Sequence, residues 1–123
     1  MHAHAIDELE ICEITSHDVL RMQRSGAPVV DVREPEEFAD GHIPGAVNIP
    51  LGRLETDLQT HPEIVRRAYA ALRERPVVLY CLIGSRSARG AAALRRLGFA
   101  DPVSLAGGIL AWTGDGHPVV VPQ

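Results

Sequence analysis

The 123-residue chain contains few aromatic residues, only two cysteines and no long apolar run. Aromatic residues make up 4% of it, so valine, isoleucine, leucine and alanine must fill the core. Two cysteines are too few for a disulfide framework, and no apolar stretch approaches the roughly 20 residues that span a membrane. The N-terminus has neither a basic start nor an apolar segment, so we expect no secretory signal, no membrane partner and a cytoplasmic protein.

Charge is distributed unevenly along the chain. The net charge of −4 argues against a nucleic-acid partner. Residues 76–100 nevertheless contain no acidic residue but four arginines, at positions 86, 89, 95 and 96, so the surroundings of Cys81 form a cationic region on an acidic protein. The six histidines and two cysteines lack the spacing of metal ligands, and we expect no metal and no cofactor.

Short apolar runs alternate with helix-like segments. Strands are predicted near residues 10–14, 28–32, 46–49, 77–80 and 103–105, and helices near residues 16–25, 35–38, 62–73 and 87–97. This alternation predicts an α/β fold with an open, mostly parallel sheet of about five strands and helices on both faces. We expect residues 1–9 to form a mobile N-terminal tail and residues 10–123 to form a single domain.

Cys81 stands at the end of a buried strand and at the start of a tight loop. The loop continues with Leu82, Ile83, Gly84, Ser85 and Arg86 before a helix begins. A helix start offers unpaired N–H groups and partial positive charge, which favour a thiolate over the thiol. The loop N–H groups can also point inward as an anion-binding nest. The alternative is a buried structural cysteine, which is common after core strands.

Several longer motifs, in their order and spacing, carry a resemblance to a known family. They are DVREPEEF (31–38), GHIPGAVNIP (41–50), VVLYC (77–81), GSRS (84–87), AAAL (91–94), LGF (97–99), LAGGI (105–109) and AW (111–112). Over about residues 10–118 the chain resembles the rhodanese family of sulfurtransferases. The resemblance implies a rhodanese-like fold, with Cys81 as the sulfur-carrying nucleophile and residues 81–86 as the loop that binds substrate and persulfide.

The implied reaction has two stages of covalent catalysis. Thiosulfate or another persulfide donor gives its outer sulfur to Cys81, and cyanide or a thiol, including a protein thiol, then removes that sulfur. Some members of the family have a basic residue at the second or third loop position, where this chain has Leu82 and Ile83. That departure puts thiosulfate as the physiological donor in doubt.

Supporting roles are predicted for residues around the loop. Asp31 ends a different strand, and parallel topology tends to bring it to the same sheet edge as Cys81. Arg86 either attracts the donor anion or braces the loop by pairing with Asp31, and we favour the brace. Arg33 is expected to tie down the segment with Glu36 and Glu37. Three further residues have structural interpretations: His42 holds a turn, Trp112 packs in the core, and Cys12 is an ordinary strand cysteine.

Two other functions remain open from the sequence. One is a persulfide carrier or regulatory binding module with poor thiosulfate turnover. The other is a cysteine-dependent phosphatase or arsenate reductase, which also places a thiolate between a strand and a helix. The phosphate loop of those enzymes has one residue more between cysteine and arginine than the four, 82–85, found here. The shorter loop favours sulfur over a tetrahedral oxyanion.

Overall fold

Five parallel strands form the centre of the structure. The structure is a computed structural model, and it describes residues 10–122. The predicted tail, residues 1–9, lies outside the described residues. The strands are β1 (Glu13–Ile14), β2 (Val29–Asp31), β3 (Val47–Asn48), β4 (Pro76–Tyr80) and β5 (Asp101–Leu105). They are arranged in the order β1-β5-β4-β2-β3, and all their pairings are parallel. The predicted open parallel sheet is thus confirmed.

Helices cover both faces of this sheet, as predicted. They are α1 (Ser16–Arg24), α2 (Pro35–Asp40), α3 (Leu54–Asp57), α4 (Pro62–Arg66), α5 (Ser85–Arg96) and α6 (Gly108–Gly114). One core lies between the sheet and α3, α4 and α5, and includes Val77 and Leu79 of β4. The other lies between the sheet and α1 and α6, and includes Val78 and Tyr80. Because neighbouring residues of β4 face opposite cores, the whole run before Cys81 is apolar.

Small residues let α5 lie close to the sheet. A Cβ added at Gly90 would come within 3.0 Å of Leu54 Cδ2 and 3.1 Å of Leu79 Cδ2. Gly98 has a φ of +98°, a backbone conformation that favours glycine, and follows the helix as its predicted stop. Of the helices in residues 10–122, none is both long enough and apolar enough to cross a membrane.

The chain between β3 and β4 is less regular than predicted. The helix expected over residues 62–73 ends at Arg66, because Ala68 and Ala71 adopt left-handed backbone angles that a right-handed helix cannot contain. Leaving the helix allows Tyr69 and Leu72 to pack against the core on the α5 side of the sheet. A short 3₁₀ helix at Leu72–Glu74 then leads into β4, and another at Leu51–Arg53 precedes α3. The 3₁₀ helix Leu51–Arg53 and α3 were not predicted.

Candidate functional site

The Cys81 sulfur lies inside the turn that joins β4 to α5. Its side chain is buried, and the N–H groups of Gly84 and Ser87 donate hydrogen bonds to Sγ at 3.1 and 3.4 Å. Gly84 can turn the chain in this way because its φ of +112° lies in a region that residues with a Cβ rarely adopt. The helix begins at Ser85, two residues earlier than expected, so Ser85 and Arg86 form the first turn of α5.

Hydrogen bonds to the Cys81 sulfur favour its ionised, thiolate form. Burial raises the pKa of Cys81, because a charged sulfur is less well solvated there. Hydrogen bonds from the Ser87 hydroxyl and from the backbone N–H groups of Ser87, Gly84 and Arg86 act in the opposite direction and outweigh burial. The net effect is a lowered pKa, as a nucleophilic thiolate requires.

Two buried serines connect the sulfur to the neighbouring strand. Ser87 Oγ lies 3.5 Å from Cys81 Sγ, and it also donates toward the carbonyl oxygen of Gly84 at 3.1 Å. The hydroxyl of Ser104, on β5, lies 2.7 Å from Ser87 Oγ. Neither serine was assigned a role from the sequence. A signal was present for Ser104, since a lone hydroxyl between Val103 and Leu105 in a buried strand needs a partner.

The outer side of the loop is apolar and rests on a glycine turn. The side chains of Leu82 and Ile83 are 38% and 61% exposed. The loop backbone is held from the other side, where Ile109 N–H donates to the Cys81 carbonyl at 2.9 Å and Leu110 N–H to the Leu82 carbonyl at 3.3 Å. A Cβ at Gly108 would lie only 2.3 Å from the Leu82 oxygen, so this turn must lack a side chain there.

Arg86 pairs with Glu37, and the predicted brace to Asp31 is wrong. Its two terminal nitrogens donate to the two carboxylate oxygens of Glu37 at 2.8 and 3.0 Å. The hydrogen bonds from Arg86 lower the pKa of Glu37 to about 2, so the pair is ionised at any ordinary pH. The pairing differs from the prediction because Arg33 already occupies both oxygens of Asp31.

Asp31 and Arg33 form a buried ion pair behind the site. Both Asp31 oxygens accept from the Arg33 side chain, the shortest bond being 2.7 Å, and Oδ1 also accepts from the Arg33 backbone N–H. Arg33 Nη2 donates in addition to the carbonyl of Gly41, just after α2. Arg33 therefore holds the end of α2, the segment that carries Glu36 and Glu37, through a backbone carbonyl.

The topology does bring Asp31 and Cys81 to one edge of the sheet. Asp31 pairs in register with Tyr80, the residue before Cys81. A family model described as a rhodanese-like domain matches residues 15–115. The chain belongs to the rhodanese-like family.

Several relatives of this rhodanese-like chain are named as sulfurtransferases. It is 35% identical over 95 residues to a sulfurtransferase of Allochromatium vinosum, an alignment that covers 77% of this chain and 79% of that protein. It is 37% identical over 90 residues to the human thiosulfate:glutathione sulfurtransferase, covering 70% and 78% of the two chains. A crystal structure of a rhodanese-related protein from Thermoplasma volcanium has a TM-score of 0.72 and 30% identity, covering 90% of this chain and 99% of that one.

The remaining three residues are those for which the sequence of this rhodanese-like chain predicts structural roles. His42 Nδ1 lies 3.0 Å from the Phe38 carbonyl and its ring stacks on the Phe38 ring, so it joins the predicted turn to the end of α2. Trp112 is 1% exposed and packs in the core on the α1 side of the sheet, also as predicted. Cys12 is a free, exposed thiol immediately before β1.

Proposed function

We propose that this chain transfers sulfane sulfur through a persulfide on Cys81. The Cys81 thiolate attacks the outer sulfur of a donor such as thiosulfate, the S–S bond of the donor breaks, and sulfite leaves with the bonding electron pair. Cyanide or a thiol then attacks the outer sulfur of the persulfide, giving thiocyanate or a new persulfide and returning the thiolate. The scheme is covalent catalysis in two halves.

The convergence of backbone N–H groups on Cys81 Sγ is the observation that supports this proposal. The N–H groups of Gly84 and Ser87 donate to the sulfur at 3.1 and 3.4 Å. Fixed donors of this kind stabilise the thiolate on Sγ before sulfur uptake, and we propose that the N–H groups of the same loop favour the negative outer sulfur of the persulfide afterwards. The supporting residues act indirectly: Asp31 and Arg33 hold the end of α2, and α2 presents Glu37 to Arg86.

The first test is the mass of the protein after exposure to a donor. We expect the protein incubated with thiosulfate, or with a small-molecule persulfide, to gain the mass of one sulfur atom, and cyanide to remove it. Cys81→Ser is expected to gain nothing, whereas Cys12→Ser, which removes the other thiol, is expected to load like the parent. Intact-mass spectrometry measures all three proteins.

Two results would contradict the proposal. Failure of the parent protein to take up sulfur from any persulfide donor would exclude the transfer. Hydrolysis of an aryl phosphate that is lost in Cys81→Ser would favour the phosphatase alternative. Sulfur uptake from a persulfide but not from thiosulfate would keep the Cys81 persulfide and favour the carrier.

The surface around the loop favours a donor other than a dianion. The charge of Arg86, the one cation in residues 81–86, is compensated by the bidentate bond to Glu37. Three apolar side chains are also exposed beside it: Leu82, Ile83 and Leu110, whose N–H group donates to the Leu82 carbonyl. We therefore propose that the preferred donor is a persulfide of low charge and that thiosulfate reacts slowly. This specific observation is also what favours the carrier alternative.

Glu37→Gln tests the charge argument. The amide keeps the shape of Glu37 and an oxygen that can accept the Glu34 N–H bond, but it no longer neutralises Arg86. We expect sulfur uptake from thiosulfate to become about fivefold faster at low salt, with a steeper decline as salt is added, because a free cation attracts the dianion. Uptake from a small-molecule persulfide of low charge is expected to change little.

Glu36→Gln is the matched control for that experiment. Glu36 is the neighbouring, exposed carboxylate on α2, so its substitution changes the net charge equally without releasing Arg86. Thiosulfate uptake should stay near the parent rate. A slower reaction of Glu37→Gln with both donors would show that Glu37 braces the loop and would reject the charge argument.

A further inference from the structure

The hydroxyl of Ser104 is a buried hydrogen-bond donor beside the site and takes no part in the proposed sulfur transfer. Ser104 and Ser87 are both fully buried, and their Oγ atoms are 2.7 Å apart. Within the part of the chain that the structure describes, Ser87 Oγ is the single hydrogen-bond partner of the Ser104 hydroxyl. A buried hydroxyl that donates to no acceptor destabilises the fold. The Ser104 hydroxyl should therefore donate its hydrogen bond to Ser87 Oγ.

Counting protons fixes what Ser87 can then do. A serine hydroxyl has one proton to donate and two lone pairs with which to accept. Ser87 Oγ is near three groups: Ser104 Oγ, the carbonyl oxygen of Gly84 at 3.1 Å, and Cys81 Sγ at 3.5 Å. If Ser104 donates to Ser87, the Ser87 proton remains available for either the Gly84 oxygen or the sulfur. If Ser87 donated to Ser104, neither could receive it.

We propose that Ser104 is a positioning residue for Cys81, whose hydroxyl donates to Ser87 Oγ and so directs the Ser87 proton to the sulfur anion. With Cys81 as a neutral thiol, Ser87 donates to the Gly84 carbonyl. When the thiol loses its proton to solvent, the Ser87 hydroxyl rotates toward the sulfur, and the chain Ser104 to Ser87 to Cys81 forms. A hydroxyl that accepts one hydrogen bond becomes a stronger donor in the next.

The position of Ser104 in the sheet supports this role. Its strand partner is Leu79, which belongs to the core on the α5 side, so the serine lies on the face covered by α5. Ser87 lies in the first turn of that helix. Ser104 is therefore connected to the Cys81 sulfur through the Ser87 hydroxyl, and it is itself fully buried.

The test is the pH dependence of Cys81 alkylation by iodoacetamide, followed on the Cys81 peptide by mass spectrometry so that Cys12 does not interfere. We expect Ser104→Ala to raise the midpoint by about half a pH unit and Ser87→Ala by about one unit. The double variant should match Ser87→Ala, because Ser104 acts through Ser87. Arg86, the charged group that interacts with Cys81, and its partner Glu37 are unchanged in all three.

Matched variants separate the hydroxyl from packing. Ser104→Thr keeps the hydroxyl and Ser104→Val has nearly the same shape without it, and both side chains suit a strand. We expect the Thr variant to retain the parent midpoint and the Val variant to behave like Ser104→Ala. Ser16→Ala removes a buried hydroxyl from α1, which packs on the other face of the sheet, and should leave the midpoint unchanged.

The sign of the shift decides the outcome. If the Ser87 proton pointed to Ser104, removing Ser104 would free it for the sulfur and lower the midpoint. A lower or unchanged midpoint in Ser104→Ala, or equal midpoints in the Thr and Val variants, overturns the inference. The inference rests on the proposed role of Cys81 but is tested apart from it, because alkylation needs no sulfur donor. If the parent protein failed to take up sulfur, the proposed function would be rejected, whereas the role of Ser104 would still be decided by the alkylation midpoints.

Discussion

Gly108→Ala is expected to slow sulfur uptake by Cys81 by at least about 100-fold. A Cβ at this position would lie 2.3 Å from the Leu82 oxygen, 2.4 Å from the Leu82 carbonyl carbon and 2.5 Å from the Cys81 oxygen. These are backbone atoms, so the loop must move away as a unit. A displacement near 1 Å at a reacting group is enough to lose a factor of this size.

The added methyl group also strains the backbone of Gly108 itself. Its φ is +60°, a conformation that costs a residue with a Cβ about 1–2 kcal/mol. The loop shift additionally weakens the bonds from Ile109 to Cys81 and from Leu110 to Leu82. We therefore expect the free energy of unfolding, measured in urea, to fall by about 2–4 kcal/mol.

Gly116→Ala separates the two effects. Gly116 has a φ of +88°, but nothing lies within 4 Å of a Cβ built there. This variant should show the strain of a left-handed alanine without moving the loop, so it should lose some stability and keep its rate of sulfur uptake. If Gly108→Ala loaded sulfur as fast as Gly116→Ala, the glycine turn would not position Cys81.

The sequence predicts those parts of the site that follow from the direction of the chain. A strand that ends at Cys81 and a helix that begins shortly afterwards place the thiol among free N–H groups, whatever the rest of the fold does. In the same way, parallel topology brings Asp31 to the edge where Cys81 lies. Both features depend on local periodicity and on the handedness of βαβ units, which the residues themselves specify.

Side-chain pairings are less predictable, because several partners compete at short range. Two arginines and several carboxylates occupy this edge, and the observed pairs are Asp31 with Arg33 and Glu37 with Arg86. The first pair forms between residues that are two positions apart at the end of a strand. Arg86 therefore pairs with a carboxylate of α2 instead. Which carboxylate of α2 faces the loop depends on how the helix is rotated. That rotation is set by packing, including the contact of Phe38 with the core, and not by spacing alone.

The segment between β3 and β4 was unpredictable for another reason. Residues 62–73 have good helix-forming composition, yet Ala68 and Ala71 adopt left-handed angles for which alanine has no preference. Tertiary contacts decide the conformation there, because Tyr69 and Leu72 reach the core only if the helix ends early. The same limit applies to Ser104: its lone hydroxyl was visible in the sequence, but its partner on α5 was not.

Asp31→Ala is expected to lower the free energy of unfolding by about 3–5 kcal/mol, a large part of the stability of a domain of this size. The Arg33 side chain is 6% exposed and that of Asp31 is fully buried. Without the carboxylate, the guanidinium keeps the Gly41 carbonyl and its neighbour Tyr80 but loses its ion-pair partner, and it is too deeply buried for water to solvate it fully.

The comparison that isolates this effect is Asp57→Ala, which breaks the exposed pair of Asp57 with Arg53. Exposed pairs contribute little, so its unfolding transition in urea should stay close to that of the parent protein. Arg33→Leu together with Asp31→Leu should recover part of the loss, because neither buried charge then remains unpaired. If Asp31→Ala unfolded at the same urea concentration as Asp57→Ala, the buried pair would not hold β2 to α2. Glu37 would then need another support to keep Arg86 in place beside the Cys81 loop.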